Sequence, residues 1–155
     1  MRELVFALEF RGTAGPVAGH ATTRRATSVA PSQTATTIVG VEGVHFRVDP
    51  IDGEHATLES RVERFGDGSF VEDGTIRYGR AGALAFITVG RGTVAASPRT
   101  GWTSGAVMWR VTSGDGIFAG AQGLITSNFT ANASGEVVDY HVARLYLPGG
   151  PLMRA

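Results

Sequence analysis

The sequence predicts an all-β fold: a single small antiparallel β-barrel of about eight strands with little helix. Three observations carry this expectation. The 155 residues include 22 glycines, about twice the usual share, and they fall between short apolar runs. Those runs alternate apolar and polar residues with a period of two and are rich in β-branched and aromatic side chains. No segment carries a capped apolar stripe at helical spacing. So many strands in one small domain leave exposed edges unless the sheet closes. Closure at about eight strands leaves an interior for side chains or one small ligand.

Taken in order, the expected strands are 4–10, 21–29, 34–39, 44–48, 56–65, 70–78, 84–94, 106–112, 121–130 and 137–147. The first puts Leu4, Phe6, Leu8 and Phe10 on one face, the spacing of a half-buried strand. Turn signals separate the runs: Gly12 to Gly19, Gly40 to Gly43, Asp52-Gly53, and Gly79 to Gly82. The link Gly66-Asp67-Gly68 is short enough for a hairpin, as is the one around Ser134-Gly135. Pro148-Gly149-Gly150-Pro151 cannot continue a central strand. The expected organisation is one barrel domain over 1–148 and a flexible tail over 149–155.

Composition narrows the function classes. Fourteen basic and fourteen acidic residues give a net charge of zero, without the basic footprint that a phosphate backbone requires. No nucleic-acid partner is expected. Every basic residue is arginine, the usage expected of a GC-rich bacterial genome. There is no cysteine, which removes disulfides, thiolate metal sites and cysteine nucleophiles. No run approaches the roughly 18 apolar residues of a membrane span. Glu9 and Arg11 interrupt the N-terminal apolar run before it reaches signal-peptide length, so the expected location is cytoplasmic. Four scattered histidines show no metal-ligand spacing, and neither a metal nor another cofactor is expected.

The most distinctive stretch runs Val111-Thr112-Ser113-Gly114-Asp115-Gly116-Ile117-Phe118-Ala119-Gly120-Ala121-Gln122-Gly123. Its glycines mark a tight turn around one apolar anchor, Phe118. The segment superficially matches a dinucleotide fingerprint, but residues 124–130 read as a strand where that fingerprint needs a helix. It resembles the glycine-rich turn of allene oxide cyclases and dirigent proteins, in which a strand enters a G-x-G-x-F-x-G turn. The resemblance spans about Phe70 to Pro148, including a last strand that ends Val142-Ala143-Arg144-Leu145-Tyr146-Leu147-Pro148. It implies a barrel that holds a small apolar substrate, steers cyclisation or coupling without a cofactor, and assembles as an oligomer. No catalytic residue is carried over from it.

Candidate site residues come from strand faces. Phe70, Glu72, Ile76 and Tyr78 share one face, the better interior row because it is aromatic with a single carboxylate. A lone buried Glu is costly without a partner, so Glu72 is either functional or near enough to a barrel mouth to reach water. Glu59, Arg61 and Glu63 oppose Leu58 and Val62. They are a solvated row by the default alternation, with Glu63 an acid/base candidate if that row turns inward. On the last strand, Tyr140, Arg144 and Tyr146 oppose Asp139 and His141. The tyrosine row is the preferred pocket wall, with hydroxyl donors and an Arg that can clamp an oxyanion. The competing row offers His141, a usable base near neutral pH. Trp109 and Phe118 are either core packing or pocket wall.

Together these features predict a cofactor-independent isomerase, cyclase or lyase acting on a small, largely apolar or aromatic molecule. Glu72 or Glu63 would exchange the proton while Tyr78, Tyr140 or Arg144 stabilises developing charge. The alternative is a non-catalytic carrier of an apolar metabolite in the same pocket. A homo-oligomer, dimer or trimer, is expected in either case.

Overall fold

In a computed structural model of the chain, which describes residues 1–149, the strands are β1 (Arg2–Val17), β2 (His20–Ala30), β3 (Gln33–Gly40), β4 (Gly43–Pro50), β5 (Ala56–Arg64), β6 (Ser69–Tyr78), β7 (Ala83–Thr88), β8 (Gly92–Ala96), β9 (Trp102–Gly114), β10 (Gln122–Asn132) and β11 (Glu136–Leu147). Among the described residues, helical structure is limited to the 3-10 turns Gly79–Ala81 and Gly116–Phe118. No helix among the described residues is long and apolar enough to cross a membrane. The expected tail lies, from residue 150 on, outside the described residues.

The sheet closes. Antiparallel pairing runs β10-β11-β1-β2-β5-β6-β7-β9, and β9 pairs with β10 to complete the ring. β7 and β8 together fill one position between β6 and β9, so the barrel is eight-stranded. The expected single strand 84–94 is thus broken at Val89–Arg91, where Val89 N–H bonds to Met108 O at 2.8 Å.

β3 and β4 form their own two-stranded sheet outside the ring. Their sequence alternates like a barrel strand, but β2 pairs directly with β5 from Ala30↔Ala56 to Thr23↔Glu63, which leaves no edge for them. Ile38, Val39, Val44 and Phe46 are accordingly exposed. The hairpin touches the barrel through Phe46, whose ring stands edge-on to Tyr140 at 5.5 Å.

One end of the lumen is filled by side chains. Phe6 of β1 meets Tyr78 of β6 at 5.3 Å, and Tyr78 meets Phe118 at 5.2 Å. Ile76, Leu84, Leu145 and Leu147 complete this plug. The glycine-rich turn positions Phe118 here. Gly116 has φ +59°, a left-handed conformation that glycine adopts without steric cost. Asp115 ties the turn to β7, accepting from Ala83 N–H at 2.7 Å and donating its own N–H to Ala83 O at 3.0 Å. Burial on this scale drives closure, at about 25 cal/mol per Å2 of apolar surface removed from water.

Candidate functional site

The opposite half of the lumen is open. A cavity of about 370 Å3 runs inward from the ends of β5, β10 and β11, at the lower end of the size range of small-molecule sites. Its walls are largely apolar: Leu58 and Val62 from β5, Phe70 from β6, Val94 from β8, Trp102 from β9 and Phe129 from β10. Two of these rings lie over glycines. A Cβ at Gly92 would fall 2.4 Å from the Phe70 ring, and one at Gly105 would fall 2.4 Å from that of Phe129. Small residues on the facing strands thus set how far each ring withdraws from the cavity. Phe70 and Phe129 then meet edge to face at 5.9 Å.

The floor is polar. Glu72 lies on the inward row of β6 and is only 9% exposed. Its carboxylate accepts a 2.6 Å hydrogen bond from Ser60 Oγ of β5. The backbone of Glu72 is fixed where the wall strand is interrupted. Its N–H donates to Thr88 Oγ1 at 2.7 Å, and the Thr88 hydroxyl donates to Glu72 O at 2.9 Å. β6 pairs with β8 before this point and with β7 after it, so one hydroxyl satisfies the peptide groups that the gap leaves over.

Burial pushes the Glu72 carboxyl up to about 7, and the charge of Asp139 adds to that rise while the Ser60 hydrogen bond opposes it. Such a group is half-protonated at neutral pH, suited to giving or taking a proton. Asp139, on the inward row of β11, supplies a second floor carboxylate. It accepts from Ser127 Oγ at 2.6 Å and contacts His141 Nε2 at 2.9 Å. His141 is 2% exposed, stacked on Phe10 at 4.4 Å and edge-on to Trp109 at 5.0 Å. His141 Nδ1 and Trp109 Nε1 are both buried without a hydrogen-bond partner.

The predicted residues fall into three groups. Glu72 and Phe70 line the cavity. Trp109 and His141 are inside the barrel but packed below the floor, and Tyr78 and Phe118 belong to the plug, where burial raises the Tyr78 phenol pKa. On the last strand the expected inward row is corrected, whereas Glu63 keeps the outward placement expected of its row. Tyr140, Arg144 and Tyr146 stand on the outer face of β11, with Tyr140 38% exposed and Arg144 paired to Glu3 at 2.8 Å. The opposite row is inward because Asp139 finds Ser127 and His141, while Ala143, Leu145 and Leu147 extend it into the plug. Glu63 also faces outward, in the solvated row. Hydroxyls of Thr22 and Thr23 donate to it and hold its carboxyl below the usual range.

Sequence reasoning missed Asp139, Ser60, Ser127 and Trp102 as site residues. The available signal was the spacing of Asp139 and His141, two apart and therefore on one strand face. Among the described residues, no group of three or more His, Asp and Glu side chains converges as a metal site would require.

The sequence matches no protein-family model and no curated protein. Among solved structures, a pterocarpan synthase dirigent protein is similar to this chain with a TM-score of 0.63 at 9% identity, over 96% of this chain and 89% of that one. The likeness establishes a dirigent-like barrel fold.

Proposed function

We propose that this barrel is a cofactor-independent enzyme that isomerises, cyclises or eliminates a small, largely apolar or aromatic substrate. The observation that carries the reading is Glu72. It is a carboxyl group with a pKa near 7 on the floor of an apolar cavity that opens to solvent. The apolar walls would hold a ligand in one conformer and exclude water. Glu72 would give or take the proton, with Ser60 orienting the carboxylate. Asp139, held by Ser127 and His141, is the second polar contact for a group that reaches the floor. The solved dirigent protein is a pterocarpan synthase by name, and its likeness lends support to small-molecule chemistry in such a barrel.

The test uses a generic probe of buried carboxylate bases. 5-Nitrobenzisoxazole opens when a base removes its C–H proton and the N–O bond breaks, releasing a coloured phenolate. The expected result is catalysed opening that rises through pH 7 and is lost in Glu72→Gln, while Glu63→Gln retains it. Equal rates for Glu72→Gln and wild type would overturn the assignment. Tight binding of apolar ligands without any Glu72-dependent proton transfer would favour a carrier.

A further inference from the structure

The rim of the cavity carries charge of the opposite sign to its floor. Arg24 projects from the inward row of β2, and Arg64 ends the inward row of β5. Arg24 pairs in register with Val62, two residues from Arg64, so both cations sit on one side of the opening. Seven other arginines each have a carboxylate within 4.0 Å: Arg11, Arg47, Arg61, Arg77, Arg80, Arg91 and Arg144. Among the described residues, Arg24 and Arg64 have none, and neither do Arg2, Arg25, Arg99 and Arg110, but of these six only Arg24 and Arg64 line the cavity. Arg24 donates to the backbone, Nη2 to Ala14 O at 3.1 Å. The carboxylates that line the cavity, Glu72 and Asp139, are engaged at the floor by Ser60, Ser127 and His141. The two guanidiniums also disfavour each other. Burial first, and the Arg24 charge second, lower the pKa of Arg64.

We infer that Arg24 and Arg64 form an anion clamp at the mouth, so that the site takes a ligand with a carboxylate at one end and an apolar or aromatic body toward Glu72. A carboxylate placed there relieves the repulsion between the two cations and meets the fork geometry that guanidinium offers to planar oxyanions. It also fixes orientation, with the charged end at the rim and the reacting end at the floor carboxyl. A ligand entering the other way round would bring its anion against Glu72 and Asp139. The inference rests on the reading of this cavity as the functional site and adds the chemical class of its ligand.

The test is a displacement titration that involves no turnover. N-phenyl-1-naphthylamine, a neutral fluorescent probe, reports occupancy of the cavity. It is displaced either by 2-naphthoate or by its methyl ester, which shares the ring and lacks the charge. In the wild type the carboxylate should displace the probe at a concentration at least tenfold lower than the ester, with an advantage that shrinks as salt rises. In the Arg24→Gln/Arg64→Gln variant the preference should fall below about twofold, with affinity for the neutral probe unchanged. Arg110→Gln, on the outer face of β9, should retain the full preference. Equal displacement by acid and ester in the wild type, or a preference that survives in the double variant, would overturn the clamp. Either failure would leave Glu72-dependent proton transfer untouched, and loss of that transfer would leave the carboxylate preference intact.

Discussion

Replacing Glu72 with Gln should stabilise the protein above neutral pH. In the unfolded chain the carboxyl ionises near 4.5, and in the folded barrel it keeps its proton up to about 7. Between those values the native state holds the extra proton, so stability is greatest below the lower pKa, falls as pH rises toward the upper one, and levels off beyond it. At about 1.4 kcal/mol per pH unit, the interval from 4.5 to about 7 corresponds to about 3 kcal/mol of strain in the ionised native state. Gln keeps the shape and the acceptor for Ser60 Oγ but never ionises. The variant should therefore match the wild type at pH 4.5 and exceed it at pH 8 by up to about 3 kcal/mol. For a chain of 155 residues this is a rise of roughly 6–12 °C in melting temperature. Thermal unfolding of both proteins by circular dichroism at the two pH values measures the difference and cancels every other titrating group they share. A gain of the same size at both pH values, or a less stable variant at pH 8, would refute the burial argument.

Two further outcomes follow from the packing. Ala26→Trp places an indole on the inward row of β2 at the cavity wall. It should abolish binding of N-phenyl-1-naphthylamine in a fluorescence titration while the far-ultraviolet spectrum stays that of a β-barrel. Leu145→Ala empties a fully buried position in the plug. It should cost about 2–5 kcal/mol in urea unfolding and leave the affinity of the open cavity for the probe within a factor of two.

Much of the barrel was legible in the sequence because its signals are local. The row Leu4, Phe6, Leu8 and Phe10 and the row Phe70, Glu72, Ile76 and Tyr78 both face inward, as alternation requires. The Gly114–Gly120 turn forms where the glycines cluster. The hairpin β3–β4 could not be separated from the barrel, because period-2 alternation describes any strand and is silent on which strands pair. The inward row of β11 was misread for a related reason. Burying Asp139 and His141 is tolerable only because Ser127 arrives from β10 and the two hold each other, and partners on other strands leave no trace in the periodicity of one. Tyr140 looked like a pocket residue, yet it faces outward against Phe46 of that same hairpin.

The site as a whole turns on one ionisation, that of the carboxyl at the cavity floor. Side-chain 13C NMR of protein labelled at the glutamate carboxyl follows it directly through a pH titration. One resonance should titrate with an apparent pKa of about 7, absent from Glu72→Gln and unmoved in Glu63→Gln. A full set of glutamates titrating between about 4 and 5, the range of exposed carboxyls, would contradict it.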